Sequence, residues 1–329
     1  MFKRLVKVLI PKRVIFLIQS YRFFWCDIKR FTLHSNTFYK FDNLSKIRGH
    51  LTILYHIVEK GLTMPETRLG FGTKIILELT DLCKLYLING YDTKDQTFVH
   101  SIQVLNEYLM FHDLNNFKLD TTIVNEIKSI SLTSRVETSS SQYCFSKDEF
   151  FKYHQSSFFD FCKSRHSSRN FSKEDIPLEI IYRCVEQANL SPSACNRQPT
   201  RVNIIKNKKK ILQALELQHG NRGFGHLANI LLVITSDISL FQDEERNEPF
   251  LNAGLFCMTL VYSLHFHKIG TCLLNWDVNS TDDIKQRSLL KIPDNEQIIV
   301  LIACGYLPDE FKIAISPRLN VSEITREIT

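Results

Sequence analysis

The sequence lacks the short motifs by which several classes of enzyme are recognised. It contains no Gly-x-Ser-x-Gly nucleophile elbow and no Walker-type phosphate loop. The glycines within residues 220–225 stand in the wrong register for the Gly-x-Gly-x-x-Gly turn that binds dinucleotides. A nucleophile triad, a phosphate loop and a dinucleotide-binding fingerprint are therefore not indicated.

Paired cysteines and long apolar runs are also missing. The nine cysteines are scattered and include no Cys-x-x-Cys pair, so they indicate neither a disulfide framework nor a zinc site. His265 and His267 lie two apart in a helical pattern, so their side chains point about 200° apart and predict no shared metal. The longest early apolar run, Val14 to Ile18, is far short of the ~20 residues of a spanning helix. With no secretory signal either, we expect a cytoplasmic protein with reduced thiols.

The positive charge is concentrated at one end of the chain. Eight basic residues against Asp27 give the first thirty residues a net charge of +7, which leaves −1 for the remainder. Because the body of the chain is near neutral and has no recognition motif, no nucleic-acid partner is predicted.

Residues 1–41 form an arm that is both basic and aromatic, in which Pro11 is expected to end one short helix and start another. Such a helix could lie on an anionic lipid surface, as a peripheral contact at the inner face of the membrane. The simpler interpretation is a helix packed on its own domain with its lysines in water, and we favour that one.

The rest of the first half has a helical pattern. Apolar residues recur at three- and four-residue spacing from Leu44 to about Ser131. His56 and Glu59 share one helical face, which would suit a carboxylate-bridged metal site only if a second copy of the pair existed. We therefore interpret them as a helix end capped by Gly61. A serine-rich linker from Thr133 to Gln142 separates the predicted domains, a helical region at 1–145 and a second domain at 146–329.

Strands alternate with helices in the second half. Pro177 suits the first position of a helix whose buried stripe includes Ile181, Cys184, Val185 and Ala188. Later helices are expected at 211–217 and 250–265, and strands at 202–205, 229–235, 270–276 and 297–306. This order predicts an α/β layered domain around a central sheet.

Two polar segments stand out in this half. The first is Arg165-His166-Ser167-Ser168-Arg169, in which two cations flank hydroxyl groups. The second is the turn Ser191-Pro192-Ser193-Ala194-Cys195-Asn196-Arg197-Gln198-Pro199, in which prolines stiffen the backbone while Ser, Asn and Gln can aim donors at a planar ligand.

Together these segments resemble the FMN-dependent nitroreductase family, which has an Arg-x-Ser-x-Arg segment and, one helix later, a Pro-Ser-x-x-Asn-x-Gln-Pro turn. The resemblance covers residues 161 to the end. It implies an α+β nitroreductase-like fold with a central mixed sheet, and a homodimer with FMN at its interface. It also implies that NADH or NADPH passes hydride to FMN N5, which then reduces a small-molecule acceptor. The first half resembles the helical extension of nitroreductase-like proteins associated with bacterial surface-polysaccharide gene sets.

The resemblance assigns cofactor contacts to the first segment and to the chain end. Arg165 and Ser167, with His166 between them, are expected at the phosphate and ribityl chain. Arg169 is expected near N1 and the C2 oxygen of the ring, where its charge stabilises the reduced flavin. Arg318 matches a C-terminal basic residue that reaches the phosphate.

Further contacts are implied for the turn and for one strand. Ser193 and Asn196, with Pro192 and Ala194 beside them, are expected at the ring edge and ribityl chain, and Gln198 is expected to hold the turn. Leu273 and Leu274 lie in the segment 270–275, whose backbone would approach the ring, and Gly254 lies where the family packs a helix closely in its core. No side-chain acid or base is predicted, so the catalytic residues stay unknown apart from the electrostatic role of Arg169.

Three positions depart from the family pattern. Cys195 replaces the common glycine of the turn, Thr200 replaces a tryptophan, and Asn252 stands where an acid is common. They motivate an alternative, in which the flavin fold is a redox-inactive scaffold and the protein acts as a membrane-surface partner in surface-polysaccharide assembly.

Overall fold

The computed structural model describes residues 11–34, 41–134, 136 and 139–328. Helices alone make up the part before residue 135, which we call the helical unit: α1 (Lys12–His34), α2 (Leu44–Leu62), α3 (Thr73–Ile88), α4 (Gln96–Leu114) and α5 (Thr121–Ser134). The α+β unit follows, with strands β1 (Gln142–Ser146), β2 (Thr200–Ile205), β3 (Ile230–Asp237), β4 (Gly270–Asn275), β5 (Glu296–Gly305) and β6 (Glu310–Ala314). Its helices are α6 (Lys147–Phe151), α7 (Phe158–Ser164), α8 (Leu178–Ala188), α9 (Lys208–Glu216), α10 (Glu248–Phe266), α11 (Ser280–Leu290) and α12 (Val321–Ile324).

Helices α2 to α5 pack around their own core. The predicted stripe of α2, including Ile47, Leu51 and Leu54, is buried, and Tyr86 of α3 stacks on Phe98 of α4 at 4.6 Å between ring centroids. Asp95 caps α4 by accepting hydrogen bonds from the first amides of that helix. The predicted cap Gly61 is wrong: α2 continues to Leu62, and Gly61 is needed because a Cβ there would meet the Phe71 ring at 2.2 Å.

Helix α1 contacts the rest of the protein on one side only. The Arg246 guanidinium donates to Asp27 at 2.5 and 2.8 Å and lies 5.4 Å from the Phe23 ring centroid. Most of its large apolar side chains are exposed, and this contact is with the α+β unit, not with the helical domain on which we predicted it to pack. The short helix predicted before Pro11 lies outside the described residues.

A four-stranded sheet in the order β2-β3-β5-β4 is the centre of the α+β unit, and all its strand pairs are antiparallel. The mixed character that we predicted is confined to one parallel bridge, between Ser167 and Thr271. Strand β3 is buried from Ile230 to Ser236, which explains its continuous apolar sequence.

Helices cover both faces of this sheet. Residues Phe256 and Leu260 of α10 and Ile181 of α8 pack against one face. The other face packs against α9, β6 and Phe150. Among the described residues, α10 alone is long and apolar enough to cross a membrane, and 56% of that stretch is buried inside the protein.

The two units join along the small sheet formed by β1 and β6. Strand β1 pairs with β6 from Gln142–Ala314 to Ser146–Glu310, and it begins inside the stretch that we predicted as a linker. Glu107 of α4 accepts hydrogen bonds from the Ser141 amide, from Ser141 Oγ at 2.6 Å and from Gln142 Nε2 at 2.9 Å. A carboxylate of the helical unit therefore holds the start of the α+β unit.

Candidate functional site

The Arg165–Arg169 segment lies along the edge of the sheet. It leaves the end of α7 and runs beside β4, where the Ser168 amide donates to the Thr271 carbonyl at 2.8 Å. Strand β4 is an edge strand with free backbone groups on this side, so the segment can pair with it as a short extra strand. This pairing fixes the order in which Arg165, Ser167 and Arg169 pass the strand.

Two polar atoms of this segment are buried without a partner among the described residues. They are Ser168 Oγ and Arg169 Nε. Arg169 is only 7% exposed, and no carboxylate of the described residues pairs with it. The Arg169 side chain is hydrogen-bonded to Cys272, but its Nε is not satisfied. Because buried charges are normally paired and fully hydrogen-bonded, this unsatisfied donor on an unpaired buried cation indicates a missing anionic or accepting group.

Three further cations lie in the same region, near Arg169 or near Arg165. Burial lowers the pKa of Lys60, and the charge of Arg169 lowers it further. Burial also lowers the pKa of Arg165, and Arg318 adds to that shift. Burial raises the pKa of the Cys272 thiol, against the opposing charges of Arg169, Lys60 and Arg165. Cys272 of β4 is therefore close to Arg169, Lys60 and Arg165, and Arg318 is close to Arg165; we call these four cations the cationic cluster.

Two histidines near Arg165 are held neutral. Burial, helped by Arg165 and Arg318, lowers the pKa of His166 to about 4. Burial, helped by Arg165, His154 and His166, lowers the pKa of His265 to about 3, and its Nε2 lies 2.9 Å from Ser164 Oγ. Neither imidazole adds charge to the cationic cluster at neutral pH.

The helical unit supplies one member of the cluster that sequence reasoning missed. Lys60 lies in the last turn of α2, next to Glu59, which is completely buried. Glu59 Oε1 lies 2.6 Å from His56 Nδ1 and accepts from Ser316 Oγ at 3.3 Å, while Oε2 lies 2.9 Å from His100 Nε2. The only signal in the sequence was an acidic residue on the apolar stripe of α2, and it did not reveal these partners.

Glu59 is a structural carboxylate in this arrangement. Burial alone raises the pKa of Glu59, but the hydrogen bonds from His100 and His56 outweigh burial and the net shift is downward. Across the described ranges, no group of three or more His, Cys, Asp and Glu side chains is arranged to hold a metal ion. The carboxylate oxygens of Glu59 are hydrogen-bonded to two imidazoles and a hydroxyl instead.

The second polar segment forms a tight turn before β2. Cys195, Asn196 and Gln198 have positive φ angles of 50°, 54° and 48°, so the turn holds three non-glycine residues in the left-handed region. Ser193 Oγ accepts from the Gln198 amide at 3.0 Å, and the Ala194 amide donates to Asn252 Oδ1 at 2.7 Å. Pro192, Asn196 and Gln198 are exposed.

The Asn252 side chain both accepts and donates hydrogen bonds at this turn. While Oδ1 accepts from Ala194, Nδ2 donates to the carbonyl and to the carboxylate of Glu248, at 2.7 and 2.8 Å. An aspartate could accept from Ala194 but could not donate to Glu248. Asn252 stands at the position where we noted that an acid is common, and here it is hydrogen-bonded to a neighbouring acid, Glu248.

The two segments do not meet within one chain. Thr200 follows the turn at one edge of the sheet, at the level of Gln297, whereas Thr271 lies at the opposite edge at the level of Cys304. Strand spacings place these corners about 14 Å apart across the sheet and roughly 23 Å apart along it. The hydrogen-bonding groups of the turn and of the cationic cluster cannot both reach one ring in a single chain.

The remaining predicted residues fall on and near this surface. Leu274 is buried in the core and Leu273 is exposed on β4. Gly254 does not pack in the core as we predicted, because it is exposed and no atom lies within 4 Å of a Cβ built there. It lies on an exposed apolar stripe of α10 with Leu251, Leu255 and Met258.

Sequence comparisons relate the second half to known proteins. A sequence model of the nitroreductase family matches residues 162–221. A putative NAD(P)H nitroreductase of Streptococcus pyogenes is 27% identical over 202 residues, which cover 51% of this chain and 97% of that protein. An iodotyrosine dehalogenase 1 homolog of Caenorhabditis elegans is 23% identical over 201 residues, covering 51% of this chain and 60% of that protein. An iodotyrosine deiodinase of Hydra vulgaris is 23% identical, covering 55% and 80%.

Solved structures were found for the same half. A nitroreductase family protein from Streptococcus pneumoniae has a TM-score of 0.46 at 23% identity and covers 52% of this chain and 100% of that chain. An FMN-dependent nitroreductase from Clostridium difficile has a TM-score of 0.42 at 22% identity, covering 50% and 94%. The helical unit lies outside the family match.

Proposed function

Because the C-terminal half of this chain is a nitroreductase family domain, we propose that the protein is an FMN-dependent oxidoreductase that takes electrons from NADH or NADPH and reduces a small-molecule acceptor. The printed names of the relatives include both nitroreductases and iodotyrosine deiodinases. They do not select an acceptor, so the proposal names none.

The cationic cluster is the observation that carries this proposal. Arg165 and Arg169 flank the residues that pair with the edge strand β4, Arg318 lies near Arg165, and no carboxylate of the described residues pairs with these three cations. A phosphate monoester with a charge of about −1.5 to −2 would neutralise two of them. The unpartnered Arg169 Nε and Ser168 Oγ offer donors for further oxygens of the ligand. FMN fits this donor set.

Each residue of the cluster would contact a different part of the ligand. FMN, when bound, supplies two-electron transfer between a reduced nicotinamide and the acceptor. Arg165 and Arg318 would hold the phosphate, and Ser167 lies between Arg165 and Arg169 for the ribityl chain. Arg169, buried and charged, would stabilise negative charge at the ring end in a partly dry site. No side-chain acid or base is assigned.

A homodimer is part of the proposal, because one chain leaves the exposed turn far from the cationic cluster. The exposed stripe Leu251, Leu255 and Met258 on α10 runs between these two regions and supports a second copy as its occupant. Gly254 within the stripe has no side chain, so another helix can approach closely there. A two-fold pair of chains would bring the turn of one to the cluster of the other.

Absorption spectroscopy of the purified full chain tests the flavin proposal. We expect bound FMN to give flavin bands that bleach when NADH or NADPH is added without oxygen. The variant Arg169→Ala should bind FMN at least about tenfold more weakly, because it loses charge-assisted hydrogen bonds. A protein that binds no FMN after reconstitution would contradict the proposal, and binding without bleaching would support the redox-inactive scaffold.

Sedimentation of two charge variants tests the dimer. Leu255→Lys places a charge in the α10 stripe and should shift the protein to monomers. Ile284→Lys on α11 makes the same type of change at a more exposed apolar residue outside the stripe and should leave the dimer intact. Wild-type protein that sediments as a monomer would refute the proposed homodimer.

A second candidate, membrane-surface binding, is favoured by α1. Six apolar residues recur at three- and four-residue spacing on its exposed side: Leu17, Ile18, Tyr21, Phe24, Trp25 and Ile28. Arg22 and Lys29 flank this stripe, and Tyr21 and Trp25 stack with their centroids 6.3 Å apart. An amphipathic helix with a cationic rim suits an anionic lipid surface.

Vesicle flotation tests this candidate. The full chain should float with vesicles containing anionic lipid and not with neutral vesicles, and Leu17→Asp should abolish flotation. Ile88→Asp on α3 changes an exposed apolar residue elsewhere and serves as the control. Absence of flotation at low salt would refute the candidate, and a dimer lost only in Leu17→Asp would assign α1 to the second copy instead.

A further inference from the structure

The cationic cluster carries more positive charge than the phosphate of FMN requires. Arg165 and Arg318 lie near each other and are enough for a phosphate monoester. Lys60 lies near Arg169, and neither is in an ion pair with a described carboxylate. Two cations next to each other repel, so their closeness needs a shared ligand group or a scaffold that holds them together.

Lys60 is held at this place by a buried neighbour. Glu59 is the preceding residue, and its carboxylate is bonded to His56 and His100 of the helical unit. The same carboxylate accepts from Ser316, whose carbonyl accepts from Arg318 Nη1 at 2.5 Å. One buried group therefore ties the end of α2, and Lys60 with it, to the chain segment that carries Arg318.

The ammonium of Lys60 has no fixed partner among the described residues. It makes no hydrogen bond and no ion pair there, although the residue is half-buried. Glu59 is close enough for its charge to act on Lys60, but the two side chains form no ion pair. A half-buried ammonium near Arg169 and Cys272 is free to donate to a ligand oxygen.

We propose that Lys60, from outside the family domain, is a flavin-binding residue that acts with Arg169 at the ring end of the FMN site. The inference rests on the proposed function. In this arrangement the helical unit completes the site of its own chain, and Lys60 donates to the pyrimidine edge of the ring. Negative charge that develops there on reduction would face two cations instead of one.

Parallel titrations with FMN and riboflavin test the assignment, because riboflavin has the ring but no phosphate. Lys60→Met should weaken both ligands by about the same factor, roughly tenfold for a lost charged hydrogen bond. Arg318→Met should weaken FMN and spare riboflavin. Lys60→Arg should keep affinity within about threefold, and Lys74→Met, at an exposed lysine of α3, should change nothing.

The reduction potential of the bound flavin provides a readout that a merely structural role would not move. It should become more negative in Lys60→Met and stay unchanged in Lys74→Met, because only Lys60 would stabilise the reduced ring. If Lys60→Met fails to fold, Lys60→Gln replaces it in the same titrations.

The outcomes separate the two proposals. Wild-type protein that binds no flavin overturns both. Wild-type protein that binds FMN, with Lys60→Met equal to it in both affinities and potential, overturns the role of Lys60 alone. Loss of FMN affinity with riboflavin spared would place Lys60 at the phosphate and overturn the ring assignment.

Discussion

The two units of this chain each bury a charged group, and they treat it differently. Glu59 of the helical unit is completely buried, and two imidazoles and a hydroxyl satisfy its oxygens. Arg169 of the α+β unit is almost as buried, yet its Nε has no partner among the described residues. A satisfied buried charge holds a structure together, whereas an unsatisfied one indicates a ligand. This contrast separates the supporting unit from the binding unit.

Removing the satisfied charge should have the largest effect on stability. Glu59→Ala leaves His100 buried without its partner and cuts the contact to Ser316, so we expect a loss of about 3–5 kcal/mol. Urea unfolding followed by far-ultraviolet circular dichroism measures it. Asp81→Asn, at an exposed carboxylate of α3, is the control and should cost less than about 1 kcal/mol. Equal effects of the two substitutions would contradict the structural role of Glu59.

Acidification should weaken the α+β unit before the helical unit. The pKa values of His265 and His166 are lowered to about 3 and about 4, so the unfolded chain binds more protons than the folded one below pH ~6.5. Stability should therefore fall by a few kcal/mol as pH drops from ~6.5 toward ~4. Glu59 has a lowered pKa, so its contribution is present above the unfolded value of 4.5 and is lost progressively as pH falls below it.

A histidine variant checks this order. His265→Gln should flatten the decline between pH ~6.5 and ~4, because glutamine does not titrate. Urea midpoints measured across that range give the comparison. A decline that is equally steep in the variant would show that His265 is not responsible.

The turn at the far corner of the sheet should be moderately sensitive. Asn252→Ala leaves the Ala194 amide without its acceptor, so we expect a loss of about 1–3 kcal/mol in urea unfolding. Asn252→Asp should lower the free energy of unfolding by a smaller amount, because the acceptor remains but the donor to Glu248 is lost. A wild-type midpoint for both variants would show that the turn does not depend on Asn252.

The contact of α1 should matter least for stability. Arg246→Ala removes the ion pair with Asp27, which is exposed and screened by solvent, so we expect little change in the urea midpoint. Because α1 has no other described contact of this kind, proteolysis within residues 12–34 should become faster. Unchanged proteolysis would mean that α1 is held by something other than Arg246.

Much of the α+β unit could be predicted from the sequence because its signals are local. The alternation of strands and helices predicted β2, β3, β4 and β5 to within a few residues, and the predicted helix at 250–265 is α10. Strands β1 and β6 were missed, because they pair with each other over more than 160 residues of sequence and have no strong apolar run. The strands of the sheet pair antiparallel, so the mixed pairing that we predicted is limited to one parallel bridge.

The candidate site was predicted only in part. The Arg165–Arg169 segment and Arg318 come together, but the turn at 191–199 lies at another corner, and no pattern in one sequence reveals such a distance. Lys60 could not be found either, because nothing in α2 says which surface of the other unit its last turn meets. Their roles in binding flavin stay predictions until a ligand is measured.

Subunit complementation tests the central claim, a flavin site shared between two chains, most directly. One parent carries Arg165→Ala and Arg169→Ala, and the other carries Asn196→Gly and Gln198→Gly, where positive φ angles suit glycine. Each parent alone should bind little FMN. Co-refolded in equal amounts, half of the dimers are mixed and one of their two sites is intact, so FMN should occupy about a quarter of the chains. Occupancy no higher than that of the parents would contradict a shared site.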